Sequence, residues 1–159
     1  MLSHPLSRGS THITRATGDQ DAGSNTGLAI DPGYLSQPLD LELLARYLCV
    51  IEGTLARTEP LASLLLARED LFPDLEAART YIRRTASGAH HYTSTCAMAP
   101  RNRGGVVDER LRIHGCRNLR VFDASVIPLS PRANTQAVVY DFAEHGATII
   151  QDDISKGIL

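Results

Sequence analysis

Residues 105–128 read GVVDERLRIHGCRNLRVFDASVIP, and residues 91–98, shortly before them, read HYTSTCAM. The longer stretch alternates small groups of Val, Leu, Ile and Phe with Asp, Gly and Asn, which favour turns. It therefore predicts short extended segments joined by turns, of which residues 119–122 make the best strand. The shorter stretch is rich in Ser and Thr and has no apolar periodicity, which predicts a loop beside the histidine pair at 90 and 91.

Helical periodicity lies on both sides of these stretches. Helices are predicted near 40–56, from Pro60 to Arg68, near 73–84, and from Asn134 or Thr135 to about Asp152. The first would be capped by Asp40, whose carboxylate can accept the unpaired N–H groups of a first turn. The positions expected to face inward are Leu41, Leu44, Leu48, Ile51 and Leu55 in the first helix, Leu75, Ala78 and Ile82 in the third, and Ala137, Val139 or Tyr140, Ala143, Ala147 and Ile150 in the last.

Strands are few by comparison. Besides 119–122, a short strand is predicted within Ser7–Thr14, and residues 15–28 have the composition of a loop. A sheet of ordinary size has about five strands. The sequence therefore predicts an α/β protein, or an α+β-like fragment, with incomplete sheets whose partner strands lie outside these residues. The length alone, 159 residues, would suit a single domain.

Composition argues against several classes of function. Sixteen basic and eighteen acidic residues give a net charge of −2, and Trp is absent, so no nucleic acid and no membrane surface is an expected partner. The three cysteines form no Cys-x-x-Cys pair and no histidine spacing completes a zinc site, so no metal is expected. No signal peptide and no run approaching the ~18 apolar residues of a transmembrane helix occurs, which leaves the location unassigned.

Two features point to chemistry. The last helix is expected to begin at Asn134, Thr135 or Gln136, and a helix N-terminus offers unpaired N–H groups to an anion such as a phosphate or a reduced ring system. Ordinary capping by Asn134 is the simpler alternative. His90 and His91 stand in a loop rather than on an apolar face, and at most one of two neighbouring extended residues faces a given pocket. A plain surface histidine is the simpler alternative there.

Four motifs, in order and at matching spacing, carry a resemblance to a known family. Residues 91–98 resemble the His-Pro-Val-Gly-Thr-Cys-x-Met stretch of the glucose–methanol–choline (GMC) oxidoreductases. Residues 105–115 resemble its Gly-Val-Val-Asp stretch with the Leu-x-Val-x-Gly that follows, and residues 118–128 its Asn-Leu-Arg-Val-x-Asp-Ala-Ser-x-x-Pro stretch. Residues 134–136 resemble the start of its closing helix. The segments at 4–10 and 31–35 are similar to the substrate domain of fungal-type members.

The resemblance covers nearly the whole chain but only the C-terminal portion of that family. It implies the C-terminal part of a two-domain oxidoreductase of the FAD/NAD(P)-binding type, with FAD as cofactor and a small-molecule alcohol oxidised at its CH–OH group. Residues 1–90 would be the tail of the substrate-binding domain. Residues 91–159 would be the C-terminal segment, with a catalytic loop and a final helix that faces FAD.

The family's catalytic positions fall on two residues. His91 occupies the position of the catalytic histidine, which would take the alcohol proton while hydride passes from the carbinol carbon to flavin N5. Asn134 occupies the second position, where the family has His or Asn, and would favour the developing alkoxide through its amide. Tyr92 departs from the common Pro after the histidine. His90 leaves a one-residue ambiguity that the alignment through Cys96 and Met98 resolves in favour of His91.

The family's cofactor contacts fall on four further residues. The positions that would lie against FAD are Asp123, Ala124, Thr135 and Gln136. No Gly-x-Gly-x-x-Gly turn, which receives the FAD pyrophosphate in the family, occurs among the twelve glycines. The resemblance therefore implies a missing N-terminal FAD-binding half. The alternative is a non-catalytic remnant, or an interaction module that pairs with a separate FAD-binding chain.

Overall fold

A computed structural model describes residues 2–13, 27–65, 72–132 and 134–158. The chain divides into two compact units, residues 1–87 and residues 88–159. The first unit holds most of the regular secondary structure, and the second holds all six sequence-predicted site residues. The assignment of residues 1–90 and 91–159 to two parts of a larger enzyme stays a prediction.

Two helices form the centre of the first unit. Helix α1 runs from Pro38 to Gly53, and helix α3 runs from Leu75 to Thr85, where Asp74 caps its first turn by accepting from the Ala77 amide at 2.8 Å. The helices pack where Ala45 meets Ala78 and Ile82, which are all buried. Because two of these three side chains are methyl groups, the helix backbones can approach closely at this point.

The predicted inward face of α1 is only partly buried. Its first members, Leu41, Leu44 and Leu48, pack against the core of the two helices, as does Leu75 of α3. Ile51 and Leu55 are about half exposed, and Leu55 lies beyond the end of α1 in a short 3-10 helix, Leu55–Arg57. The apolar periodicity therefore predicted the position of α1 and the first part of its buried face correctly, but not the last part of that face.

Asp40 is not the cap of α1, and that prediction is wrong. Pro38 is the first residue of the helix, because its fixed φ suits that position, and this places Asp40 inside the first turn. Its buried carboxylate instead accepts hydrogen bonds from the backbone amides of Leu6 at 2.9 Å and Ser7 at 2.7 Å, and from the Ser7 hydroxyl at 2.5 Å. Burial raises the pKa of Asp40, but these bonds outweigh burial and lower it.

The remaining elements of this unit are short. Strand β1, Ser10–Ile13, pairs antiparallel with strand β2, Leu28–Asp31, so that Ser10 lies opposite Asp31. Most of the predicted loop at 15–28 lies outside the described residues, and its last residue, Leu28, begins β2. Helix α2 spans Leu61–Leu64, whereas a helix from Pro60 to Arg68 was predicted. Leu65 is extended, so the helix is shorter than predicted, and residues 66–68 lie outside the described residues.

Loops make up most of the second unit before its last helix. They surround a core of Val107, Leu111 and Val126. The predicted strand at 119–122 is wrong for the described residues, in which Arg120 makes a single antiparallel bridge with Arg112. Leu111, at a positive φ of 62°, turns the chain back so that its carbonyl accepts from the Val121 amide at 3.1 Å. The extended residues described in this unit therefore pair through isolated β-bridges.

Helix α4 runs from Gln136 to Ser155, close to the predicted bounds, but it buries a different face. Its buried residues are Gly146, Ile149 and Asp153. Of the predicted face, Val139 and Ile150 are half-buried, whereas Ala137, Ala143, Ala147 and the alternative Tyr140 are exposed. A Cβ at position 146 would overlap the ring of Phe122, so only glycine allows this contact. Among the residues described, no helix combines the length and apolar character needed to cross a membrane.

Candidate active site

The loop that carries His91 is attached along its length to the segment at 123–130. The Cys96 amide donates to the Ser125 carbonyl and the Met98 amide donates to the Val126 carbonyl, both at 2.9 Å. Further up the loop, the Ser94 hydroxyl donates to the Ile127 carbonyl at 2.8 Å. The Thr93 and Ser130 hydroxyls are 2.7 Å apart. These bonds fix the position of the loop without a strand or a helix.

Two residues in left-handed backbone conformations stand on either side of His91. His90 has φ 58° and Ser94 has φ 75°, a region that non-glycine residues rarely adopt. Such conformations persist only where the surroundings impose them, and they cluster at functional sites. His90 is exposed, with its ring edge-on to Tyr92, whereas His91 is half-buried. The two neighbouring histidines therefore lie in different surroundings.

His91 contacts the start of the last helix. Its ring nitrogen Nδ1 lies 3.4 Å from the hydroxyl oxygen of Thr135, which immediately precedes α4. This contact joins residues 44 positions apart in the sequence. Asn134, the second predicted catalytic residue, is the neighbour of Thr135 in the chain.

Asn134 caps the helix, as the simpler alternative expected. Its side-chain oxygen Oδ1 accepts a hydrogen bond from the Gln136 amide at 2.9 Å. An amide side chain has one accepting and one donating end, so this bond leaves the NH₂ group of Asn134 as the end that can meet a second partner. The side chain is exposed, and the capping role is therefore compatible with a role as a hydrogen-bond donor to substrate.

The positions predicted to lie against FAD fall into two places within this unit. Asp123 caps a short 3-10 helix, Ala124–Val126, by accepting from the Ser125 amide at 2.8 Å. Thr135 and Gln136 form the beginning of α4, where the amides of the first turn lie outside the intrahelical hydrogen-bond ladder. One side-chain contact, between Thr135 and His91, joins the second place to the predicted catalytic histidine. The first place is followed directly by Ser125 and Val126, whose carbonyls accept from amides of the His91 loop.

The sequence reasoning missed a cluster of charges at the other end of α4. The buried carboxylate of Asp153 accepts hydrogen bonds from the guanidinium groups of Arg110 and Arg120. Burial raises the pKa of Asp153, but the bonds from both arginines outweigh it and lower that pKa. An acidic residue near the end of a helix reads as solvent-exposed, so the sequence carried no signal for this contact.

The Gly-Val-Val-Asp motif contributes a second fixed carboxylate. Asp108 accepts from the Arg110 and Arg112 amides and from the Arg112 side chain, each at 2.9 Å. Burial raises its pKa and these bonds lower it, with a net lowering. Within the described ranges, no group of three or more His, Cys, Asp or Glu side chains is arranged to hold a metal ion. The charged side chains of this motif therefore serve to fix a turn.

Comparison with known proteins identifies the family. The family model described as GMC oxidoreductase, for the C-terminal region of that family, matches residues 5–143. Dehydrogenase citC of Monascus ruber is 40% identical over 164 residues, which cover 97% of this chain and 24% of that protein. The GMC oxidoreductase family protein Mala s 12 of Malassezia sympodialis is 40% identical over 152 residues, with 94% of this chain and 24% of that protein covered.

A solved structure agrees with these relatives. The chain superposes on a fungal aryl-alcohol oxidase with a TM-score of 0.79 at 32% identity, covering 97% of this chain and 25% of the oxidase chain. The chain therefore belongs to the GMC oxidoreductase family, and the predicted fold class of an α/β region with incomplete sheets is confirmed. It spans about a quarter of the length of the relatives it matches.

Proposed function

We propose that this chain supplies the alcohol-handling site of a flavin-dependent oxidoreductase that acts on the CH–OH group of a small molecule. One observation carries the proposal: a loop held in place by many hydrogen bonds brings His91 into contact with Thr135 at the start of α4, and Thr135 follows Asn134 in the chain. A titratable ring and an amide donor at one point of the surface suit the removal of a proton from a hydroxyl group. Family membership supports the same chemistry.

His91 and Asn134 would have different roles at the hydroxyl group of the alcohol. His91 accepts the hydroxyl proton on a ring nitrogen, which a neutral imidazole does readily near neutral pH. Asn134 donates from its NH₂ group to the alcohol oxygen and stabilises the negative charge that grows there. The bond from the Gln136 amide to Oδ1 supports this role, because it orients the amide with its donating end available.

The start of α4 has the donor chemistry that an electron-rich flavin edge requires. Its first-turn amides and the positive end of the helix dipole would face that edge, with Thr135 and Gln136 in contact with it. The turn at Asp123 and Ala124 would lie against another part of the cofactor. FAD, when bound, takes up the two electrons that leave the alcohol carbon. The residues present therefore fit one margin of the cofactor, with the histidine loop beside it.

The main contacts with FAD would come from residues outside this sequence. No Gly-x-Gly-x-x-Gly turn occurs in the 159 residues, whereas the relatives are about four times as long. We infer that an FAD-binding half completes the enzyme, in the same polypeptide or as a separate chain. The alternative is a non-catalytic remnant, or an interaction module that pairs with a separate FAD-binding chain, and neither would oxidise an alcohol by itself.

A chimera distinguishes the catalytic role from the non-catalytic alternative. The region of the Malassezia sympodialis relative that matches this chain is replaced by the chain itself, and the purified protein is assayed for bound FAD and for oxidation of a panel of aryl, aliphatic and sugar alcohols. We expect flavin absorbance and turnover of at least one alcohol class. A folded chimera with full flavin content and no turnover on any class would leave the non-catalytic module as the answer. The chain purified alone should carry little or no flavin.

A matched pair of variants at Asn134 tests the donor role in the chimera. Asn134→Asp retains an oxygen for the Gln136 amide but has no NH₂ group, so kcat should fall roughly 10²–10³-fold while stability is kept. Asn134→Ala loses both, with the same fall in kcat and a further loss of about 1 kcal/mol of stability. An Asn134→Asp chimera with unchanged kcat would limit Asn134 to capping.

A further inference from the structure

We propose that Thr135 is a positioning residue for His91. In this arrangement its hydroxyl oxygen accepts a hydrogen bond from Nδ1–H of the ring, which leaves the lone pair on Nε2 to act as the base. The inference rests on the proposed function, since it assigns a tautomer to the histidine named there. It goes beyond the family resemblance, which placed Thr135 against the cofactor.

The hydroxyl of Thr135 does not cap the helix. Thr135 has helical backbone angles, φ −69° and ψ −16°, and it makes no side-chain cap bond. Asn134, one residue earlier, makes that bond to the Gln136 amide. The Thr135 hydroxyl lies instead 3.4 Å from Nδ1 of His91.

The direction of this hydrogen bond decides which nitrogen of His91 can act as a base. A neutral imidazole has one N–H and one lone pair. When Nδ1–H donates to Thr135, the lone pair is on Nε2, and the proton that leaves the alcohol oxygen is taken up there. The opposite direction, with the threonine O–H donating to Nδ1, would place a proton on Nε2 and block it. In the first arrangement the contact survives protonation of the ring, because Nδ1 keeps its hydrogen throughout.

Partial burial strengthens the case for a defined tautomer. Both His91 and Thr135 are half-buried, so the contact is partly shielded from competing water. The distance is long for a hydrogen bond, as catalytic hydrogen bonds often are before substrate is present. The loop that carries His91 is held by the bond from the Ser94 hydroxyl to the Ile127 carbonyl at 2.8 Å.

The test reads the tautomer directly in the full 159-residue chain. Long-range ¹H–¹⁵N NMR spectra report which ring nitrogen of His91 carries hydrogen, with assignment through a His91→Gln variant. We expect Nδ1 to show the shift of a protonated nitrogen and Nε2 that of an unprotonated one at a pH where the ring is neutral. In Thr135→Val, which keeps the shape but lacks the hydroxyl, this difference should collapse or reverse. Thr135→Ser should restore it.

A control and an activity measurement complete the design. Thr148→Val removes a hydroxyl that bonds within α4 and should leave the His91 spectrum unchanged. A dominant Nε2–H form in the wild-type chain, or an unchanged His91 spectrum in folded Thr135→Val, would overturn the inference. In the chimera, Thr135→Val should lower kcat roughly tenfold with little change in KM. An inactive chimera with the expected spectra would reject the proposed function alone, whereas an active chimera with unchanged spectra would reject only the role of Thr135.

Discussion

The unit at residues 1–87 and the unit at residues 88–159 are held together by different interactions. In the first, two regular helices bury apolar side chains around Ala45, Ala78 and Ile82. In the second, a three-residue core is surrounded by loops that bond to one another through backbone amides and hydroxyl groups. Loops supported in this way can place a side chain at a point that no helix face would reach, and the candidate site lies in that unit. Regular helix packing holds the first unit together, and the irregular second unit carries the candidate site.

The largest effect is expected at the site itself. His91→Ala in the chimera should lower kcat/KM by roughly 10²–10⁴-fold, because it removes the group that accepts the hydroxyl proton. Flavin absorbance should be retained, since the ring is not among the predicted cofactor contacts. His90→Ala is the matched control, as this exposed neighbour should change turnover little. Equal losses of turnover in His91→Ala and His90→Ala would mean that activity depends on the conformation of the loop and not on the His91 ring.

The next effect concerns the helical core. Ile82→Ala should lower the free energy of unfolding by about 2–5 kcal/mol, as expected for a buried aliphatic side chain. Ile13→Ala, at a position that is 89% exposed, should change it by less than ~0.5 kcal/mol. Urea unfolding measures the loss, and amide exchange should become faster first in α1 and α3. Similar values for the two variants would contradict the view that packing of this helix pair stabilises the first unit.

Asp40 should make the first unit sensitive to acid. Asp40→Asn, which places an amide where two backbone amides donate, should cost about 1–3 kcal/mol at neutral pH. The pKa of Asp40 is lowered in the folded chain, so its contribution is complete above the ordinary aspartate value of about 4 and is lost as pH falls through the folded value.

Unfolding of the wild type and Asp40→Asn, compared from neutral to strongly acidic pH, should therefore give curves that converge at low pH. Asp141→Asn, at an exposed residue of α4, is the control and should follow the wild type across the same range. Curves for Asp40→Asn that stay parallel to the wild type would show that the carboxylate charge contributes nothing to the attachment of residues 6 and 7.

The smallest effect tests the hydroxyl groups that fix the histidine loop. Ser94→Ala removes the donor to the Ile127 carbonyl and should cost about 1 kcal/mol, with no change in core packing. Ser155→Ala removes a similar bond at the exposed end of α4 and should cost less than half of that. Thermal unfolding of the two variants gives the comparison. If Ser94→Ala is as stable as the wild type, the Ser94 hydroxyl contributes nothing measurable and backbone hydrogen bonds alone hold the loop.

Sequence patterns predicted the helices well because the signals are local. The bounds of α1 and α3 lie within a few residues of those predicted from apolar spacing, and the beginning of α4 lies within two. The face of α4 was predicted wrongly, because its buried side contains Gly146 and Asp153, which no apolar pattern includes. Asp40 was misread for a similar reason, since its partners are 33 and 34 residues away.

The candidate site was predicted from resemblance and not from periodicity. Ordered motifs indicated His91 and Asn134, but nothing in the spacing predicted that Thr135 would contact the ring across 44 residues. That contact depends on the hydrogen bonds between the His91 loop and the segment at 123–130. Many of these bonds join backbone groups, which every residue has, so the sequence carries no signal for them. A motif can therefore name the residues of such a site, whereas their arrangement follows only from the three-dimensional structure.

Replacing glycine by alanine inside a helix is a common way to stabilise a protein. At the two glycines within the described helices of this chain, the same substitution would have opposite effects. Gly53, the last residue of α1, has open space where a Cβ would stand and no positive φ, so Gly53→Ala should raise stability by about 0.5–1 kcal/mol. Gly146 has the ring of Phe122 in that space. The same substitution there would push α4 away from its neighbour and with it the end that carries Asn134 and Thr135. A routine engineering choice would thus become a change in the candidate site.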